Sequence, residues 1–94
     1  MAIKSFGDTD TEAFWGGTGI PRFQAFERVA MRKLTALNAA IDLNSLAKIP
    51  GDRLEPLKGD RDGQHSIRIN DQWRICFRWK DSDAHDVEIN NHYT

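Results

Sequence analysis

Residues 66–79 read Ser-Ile-Arg-Ile-Asn-Asp-Gln-Trp-Arg-Ile-Cys-Phe-Arg-Trp, two runs of alternating apolar and polar residues on either side of a polar triplet. This alternation is typical of antiparallel strands with one buried face, and Asn70-Asp71-Gln72 is a turn sequence, so the segment predicts a β-hairpin. A three-residue loop keeps the apolar side chains on one face and pairs Arg68 with Arg74. A two-residue loop would place Arg74 opposite Ile67. The hydrophobic pattern therefore selects the register and brings two arginines side by side.

Further strands are predicted towards both ends of the chain. Residues 84–90 also alternate, which places His85, Val87 and Ile89 on one predicted face. The segment Ile3-Lys4-Ser5-Phe6 has the same period and predicts a short N-terminal strand.

The segment between these strands has helical periodicity. Apolar residues recur every three or four positions from Phe23 to Ile41, which predicts an amphipathic helix whose apolar stripe lies in the core. The acidic residues 8–12 predict the start of a shorter helix, which the glycines of residues 16–19 end. Residues 42–48 are predicted to form a broken turn.

The order of these elements predicts an α+β fold formed by a single domain, residues 1–94. A chain of 94 residues has material for one hydrophobic core. The N-terminal strand and two helices are expected to pack on the apolar face of a curved antiparallel sheet. The opposite face carries Arg68, Arg74 and Arg78 and is expected to face solvent or a binding partner. We expect the functional site on that face.

Composition restricts the classes of protein that remain. The net charge is −1, but residues 53–80 hold seven Lys or Arg against four Asp or Glu, and residues 81–94 hold none against four. The basic character is therefore local, and the chain does not attract nucleic acid by its overall charge. A single cysteine, Cys76, excludes a disulfide framework, and no apolar run reaches about 18 residues, so a cytoplasmic protein without a membrane span is expected.

The candidate chemistry lies around the arginine pair. Two adjacent guanidinium groups either repel each other or hold an anion, and their fork of donors matches a phosphate. Surface arginines without a ligand are the other interpretation. The loop from Lys58 to Arg61 adds cations just before the hairpin. The three histidines show no metal-ligand spacing, so no metal is expected, and Cys76 is interpreted as an inert small side chain.

Few residues are able to move protons in such a site. Glu55 and Glu88 are carboxylates that can act as an acid and base pair, and His92 and Tyr93 lie near the C-terminus. Imidazole is the side chain that titrates nearest neutrality, so His92 is the preferred candidate for proton transfer. Frayed terminal residues are the alternative interpretation of the last two.

Two motifs connect the chain with a known family. Leu-Lys-Gly-Asp-Arg at residues 57–61 and Asn-Asp-Gln-Trp-Arg-Ile at residues 70–75 resemble the plasmid-maintenance killer toxins, the HigB branch of the RelE superfamily. Residues 3–6 and 83–89 resemble the same family, so the resemblance covers nearly the whole chain. It implies a RelE-like microbial RNase fold and a toxin that cuts messenger RNA in the A site of the 30S ribosomal subunit. It also implies that no metal or other cofactor takes part.

The resemblance further implies partners and residue roles. A HigA-like helix-turn-helix antitoxin neutralises such toxins, and the two together repress their own operon, so operator DNA is bound only through the antitoxin. Lys58 and Arg74 fall on basic active-site positions of the family, where Arg74 would bind the scissile phosphate. Glu55 stands where some members have a catalytic histidine.

The full set of candidates combines the resemblance with the register. The catalytic candidates are Arg74, Lys58, His92, Glu55 and Tyr93, and the phosphate-binding candidates are Arg68, Arg61, Arg78 and Asn91. Arg68 comes from the hairpin register and not from the family.

The C-terminus departs from the family pattern and leaves two functions open. Members commonly end in Asp-Tyr-His, whereas residues 90–94 are Asn-Asn-His-Tyr-Thr. Without a gap Asn91 replaces the acid, and with one deletion His92 is the terminal histidine. Either the chain is a ribosome-dependent mRNA interferase, for which free RNA is a poor substrate, or it is a catalytically weakened member that acts as an antitoxin-binding co-repressor. A general RNA-binding fold is disfavoured because the outward face lacks a row of stacking aromatic residues.

Overall fold

The computed structural model describes residues 2–91, and its sheet is built around the predicted hairpin. Within this range the antiparallel sheet has the order β1-β2-β3-β4, with β1 at Glu55–Pro56, β2 at His65–Arg68, β3 at Trp73–Lys80 and β4 at Asp83–Asn91. Arg68 pairs with Arg74, and Ile67 pairs with Ile75. The three-residue loop and its register are therefore confirmed.

Helices cover one face of this sheet. They are α1 at Thr9–Trp15, a 3₁₀ helix at Pro21–Phe26, α2 at Glu27–Ala39 and α3 at Leu43–Ala47, and a second 3₁₀ turn at Gly59–Arg61 lies in the loop before β2. The Asp8 carboxylate accepts the backbone N–H of Thr11 at 3.0 Å and so begins α1, as the acidic stretch predicts.

The core fills the space between the helices and the sheet. Its members include Phe14, Phe23, Phe26, Leu34, Leu37 and Leu46 from the helical layer and Ile67, Ile75, Phe77, Val87 and Ile89 from the strands. Thr11 is fully buried, and its hydroxyl accepts the backbone N–H of Ile89 at 3.0 Å, which joins α1 to β4. The predicted α+β architecture, with helices packed on an antiparallel sheet, is confirmed.

The long predicted helix is shorter than its apolar periodicity indicates. Its first turn, from Phe23, belongs to the 3₁₀ helix, and α2 ends before the extended residue Ala40. This change of direction leaves Ile41 74% exposed, so the predicted core position of Ile41 is wrong. The next segment folds as α3 rather than as a broken turn, because the Asp42 carboxylate accepts the N–H of Ser45 at 2.8 Å.

A β-bulge in β4 changes which side chains face the core. Between the pairs Cys76–Glu88 and Arg78–His85, β4 holds one more residue than β3, and Asp86 adopts a left-handed backbone with φ 54°. Because side chains alternate along a strand, the extra residue moves the side chains of the earlier β4 residues to the opposite faces of the sheet from those that a regular strand predicts. His85 therefore lies opposite Arg78, and its predicted place beside the buried residues is wrong.

The N-terminal segment lies along β4 in the parallel sense. Two isolated bridges, Ile3 with Ala84 and Phe6 with Val87, take the place of the predicted strand. A Cβ atom on Gly7 would lie 3.0 Å from the carbonyl oxygen of Asp86, so glycine permits the close approach next to the bulge.

Candidate active site

A cavity of about 240 Å³ opens on the face of the sheet opposite the helices. It is lined by Arg53, Glu55, Ser66, Arg68, Asn70, Trp73 and Arg74. These residues come from β1 and the segment before it, from β2 and β3 and from the hairpin turn, so the register of the hairpin builds most of the cavity. Three of them are arginines and one is a carboxylate, a composition suited to an anion.

Arg68 and Arg74 lie directly opposite each other across β2 and β3. Like charges at such a position destabilise a sheet unless something offsets them. Arg68 forms an ion pair with Asp71 of the turn. In the described part of the chain Arg74 has no carboxylate partner, and its buried Nε makes no hydrogen bond. Arg74 therefore carries a positive charge that no carboxylate among the described residues offsets.

The floor beside the cavity is closed rather than open to solvent. Ser66 and Cys76 project on the same face as the arginines, yet they are buried to 3% and 0% exposure. Burial raises the pKa of the Cys76 thiol above its usual range, and the guanidinium groups of Arg74 and Arg61 oppose that rise only in part. The thiol is consequently neutral near pH 7 and is not activated as a nucleophile.

The loop between β1 and β2 is folded over this face by two arginines. Arg61 forms an ion pair with Glu88 at 3.0 Å. Arg78 donates to the carbonyl oxygen of Asp62 at 3.4 Å and lies 3.4 Å from the carboxylate of Asp86. Arg61 and Arg78, two of the four predicted phosphate-binding residues, thus hold the loop in place and do not line the cavity.

The other predicted residues divide between several places. Glu55 lines the cavity, where β1 pairs it with Ser66. Lys58 is exposed on the loop and does not line the cavity. Asn91 lines a neighbouring cavity of about 310 Å³ together with Arg22. His92 and Tyr93 lie outside the described residues.

Three residues that line the cavity were not predicted as site residues from the sequence. Arg53 precedes β1 and has a left-handed backbone with φ 47°, a conformation that no sequence signal announces for arginine. Asn70 was identified only as a turn residue, and its side chain accepts the backbone N–H groups of Gln72 and Trp73, each at 2.8 Å. The alternation of residues 66–79 places Trp73 on the apolar face of the hairpin. Its position at the end of β3, next to the turn, was the available signal that it also reaches the cavity.

Residues 2–91 contain neither a cluster of metal-binding side chains nor a helix able to cross a membrane. No three His, Cys, Asp or Glu side chains of this range lie together as a metal-binding group. The helices in the same range are also too short and too polar to cross a bilayer.

Solved structures identify the fold of the chain. A YoeB–YefM complex from Staphylococcus aureus is similar with a TM-score of 0.62 and 22% identity, covering 99% of this chain and 100% of that chain. A YafQ variant from E. coli is similar with a TM-score of 0.65 and 14% identity, covering 97% and 92%. The fold is therefore that of the RelE-like toxins.

The sequence identifies the family within that class. Residues 4–92 match the HigB-like toxin family, described as the RelE-like toxin of the type II toxin–antitoxin system HigB. Toxin HigB-1 of Vibrio cholerae serotype O1 is 38% identical over 68 residues, which are 72% of each chain. Endoribonuclease HigB of Proteus vulgaris is 33% identical over 76 residues, 81% of this chain and 79% of that protein. The chain belongs to the HigB-like toxin family, as the motifs of residues 57–61 and 70–75 predict.

Proposed function

We propose that this chain is a ribosome-dependent endoribonuclease that cleaves translated messenger RNA in the A site. The observation that carries the proposal is the pairing of Arg68 with Arg74 in a cavity where, among residues 2–91, Arg68 has a carboxylate partner and Arg74 has none. An RNA phosphate offers a negative charge and two non-bridging oxygens, which can accept hydrogen bonds from the two guanidinium groups. The similarity to Endoribonuclease HigB of Proteus vulgaris supports the same substrate class.

The proposed reaction uses the RNA's own 2′-hydroxyl as nucleophile. The bond from O2′ to phosphorus forms while the bond from phosphorus to O5′ breaks, which leaves a 2′,3′-cyclic phosphate and a 5′-hydroxyl. One proton leaves the 2′-hydroxyl, and one proton is delivered to O5′. The protein supplies position, positive charge around the pentacoordinate phosphorus and two groups that move protons.

The roles proposed for the described residues follow from their placement, and those of His92 and Tyr93 follow from their chemistry as proton donors and acceptors. Arg74 and Arg68 donate to the non-bridging oxygens, and Glu55, which lines the same cavity, accepts the proton of the 2′-hydroxyl. His92 delivers the proton to O5′, assisted by Tyr93. The residues outside the cavity, Lys58, Arg61, Arg78 and Asn91, contact neighbouring phosphates of the strand.

The charge of the chain supports the dependence on the ribosome. A net charge of −1 provides no long-range attraction for free RNA. A cavity of about 240 Å³ holds a phosphate and its sugar but not a long stretch of strand. The A site supplies the missing alignment in this proposal, so naked RNA is a poor substrate.

The proposed partner is a helix-turn-helix antitoxin of the HigA type. Membership of a type II toxin–antitoxin family supports an antitoxin, and two of the similar solved structures are YoeB–YefM complexes. Operator DNA is reached through that antitoxin, and the pair acts in the bacterial cytoplasm.

The test is primer extension on cellular messenger RNA after induction in bacteria that lack the antitoxin. The wild type is expected to cut within translated frames, and Arg74→Ala is expected to lose these cuts. Lys80→Ala is the matched control, because Lys80 is an exposed cation on the same strand that does not line the cavity. Purified protein is expected to cut ribosome-bound message far faster than the same message alone, and equal rates would contradict the ribosome dependence.

The same experiment addresses a catalytically weakened toxin. The exchange of residues 90–94 for a terminal Asp-Tyr-His is expected to change cleavage little if the natural end is functional. A wild type that makes no cuts, together with strong cleavage by the exchanged variant and unimpaired antitoxin binding, would favour the co-repressor.

A further inference from the structure

A buried ion pair lies behind the cavity, outside the candidate catalytic groups. Lys33 of α2 is 8% exposed and Asp52 is 1% exposed, and Lys33 Nζ lies 2.9 Å from Asp52 Oδ1. Asp52 Oδ2 is buried and has no hydrogen-bond partner among the described residues. Burial of two charges is not in itself a source of stability, since apolar residues of similar size often replace such pairs without loss.

The pair is connected to the backbone of Arg68 from both sides. Lys33 Nζ donates to the carbonyl oxygen of Arg68, and the N–H of Arg68 donates to the carbonyl oxygen of Asp52 at 2.6 Å. β1 is only two residues long and pairs with the first half of β2. Beyond the end of β1, the backbone of Asp52 is the group that bonds to the second half of β2. The pair thereby links α2 to the end of β2 that carries an arginine of the cavity.

The same contacts constrain Arg53. Its backbone is left-handed, with φ 47°, a conformation that is unfavourable for a residue with a Cβ atom. Asp52, the residue before it, is held by the side chain of Lys33 and by the N–H of Arg68. Because Asp52 is anchored, Arg53 keeps its left-handed backbone and lines the cavity beside Arg68.

We propose that Lys33 and Asp52 are a positioning pair that sets Arg53 and Arg68 at the rim of the cavity for RNA binding. The inference rests on the proposed function of that cavity. Neither residue touches the substrate. Loss of the pair therefore weakens the binding of RNA more than it slows bond cleavage by the bound complex.

The decisive variant is the double substitution Lys33→Met with Asp52→Leu. It leaves no unpaired buried charge and does not change the net charge, so the fold and Tm are retained. Each single substitution leaves one buried charge alone and is expected to lower Tm. Lys48→Met is the matched control, because Lys48 is an exposed cation near the same turn and has no carboxylate within ion-pair distance among the described residues.

Cleavage of ribosome-bound message at increasing toxin concentration separates binding from chemistry. The double variant is expected to need about tenfold more toxin for half-maximal rate, with a maximal rate within about threefold of wild type, since misplaced binding groups lose alignment. In the same variant the amide of Arg68 is expected to exchange with solvent about tenfold faster than in wild type, while that of Ile75 stays protected. A double variant with wild-type concentration dependence and Arg68 exchange would overturn the inference, as would a loss confined to the maximal rate.

A second experiment, which measures phosphate binding, separates this inference from the proposed function. Inorganic phosphate is titrated into the free protein, with the side-chain N–H signals of the cavity arginines as the readout. If wild type cleaves no message, the proposed function fails, and the inference then depends on whether the double variant binds phosphate about tenfold more weakly than wild type. Equal phosphate affinities in that case would refute the positioning role.

Discussion

Replacement of Arg74 by methionine is predicted to move stability and activity in opposite directions. Methionine keeps an unbranched apolar stem over the floor of the cavity and removes only the charged head. The charge that is removed lies opposite Arg68, whose own charge is offset by Asp71. The change therefore relieves repulsion in the folded protein and deletes the guanidinium group proposed to bind the scissile phosphate.

The two magnitudes follow from this geometry. Directly opposed residues have Cβ atoms about 5 Å apart, and a like-charge pair there costs about 0.2–1 kcal/mol. Since Asp71 offsets part of that cost, the expected gain is about 0.5 kcal/mol, or an increase in Tm of about 2–4 °C for a domain of this size. Loss of one preorganised donor to a developing charge slows cleavage about 10²–10³-fold.

The assay combines a thermal melt with the cleavage rate on ribosome-bound message. Lys80→Met is the control, because it makes the same chemical change at an exposed position of the same strand outside the cavity. Its cleavage rate is expected to equal that of wild type. Cleavage by Arg74→Met within about threefold of wild type, or a fall in Tm of more than about 4 °C, would refute the reasoning, because the guanidinium would then be a structural group.

Three predictions concern the fold. Thr11→Val keeps the side-chain volume but leaves the N–H of Ile89 without its acceptor, so the free energy of unfolding in urea is expected to fall by about 1–3 kcal/mol, and an unchanged urea midpoint would disprove that role. Leu37→Ala is expected to cost about 3–5 kcal/mol in the same measurement, whereas Ile41→Ala, at a position 74% exposed, is expected to change stability by less than about 0.5 kcal/mol; equal effects would contradict the observed end of α2. Burial raises the pKa of the Cys76 thiol, so above about pH 8.5 the unfolded chain binds fewer protons than the folded chain, and stability is expected to decrease as the pH rises further. Cys76→Ala is expected to reduce this decrease, measured as the denaturation midpoint at each pH. Parallel curves for the two proteins would exclude the thiol as the cause.

The arginine pair could be predicted because the information is local. The period of residues 66–79 and the composition of their turn fix the register of a hairpin without any other part of the chain. Arg53 could not be predicted in the same way, because its place depends on Asp52 being held by a lysine on a helix 19 positions earlier in the sequence. The resemblance placed Lys58 and Arg74 together at one site, and the structure brings only Arg74 into the cavity.

The errors in the sequence interpretation have physical causes of the same kind. The apolar stripe that starts at Phe23 contains no stop signal, so periodicity alone carried it to Ile41, beyond the point where the chain must turn into α3. The alternation of residues 84–90 is regular, but a bulge at Asp86 inverts the facing of His85. A bulge depends on how two strands and the crossing N-terminal segment fit together, and no single strand encodes that fit.

The amino-acid sequence by itself determined the α+β class, the hairpin and its register, and the juxtaposition of Arg68 and Arg74. These features arise from side-chain periodicity and turn chemistry, which act over a few residues. Only the tertiary structure decided that Arg61 and Arg78 fasten a loop, that Arg53 joins the cavity and that Lys33 lies buried against Asp52. Those contacts join residues that are distant in sequence, and burial sets their energies, so they exist only once the helices have packed against the sheet.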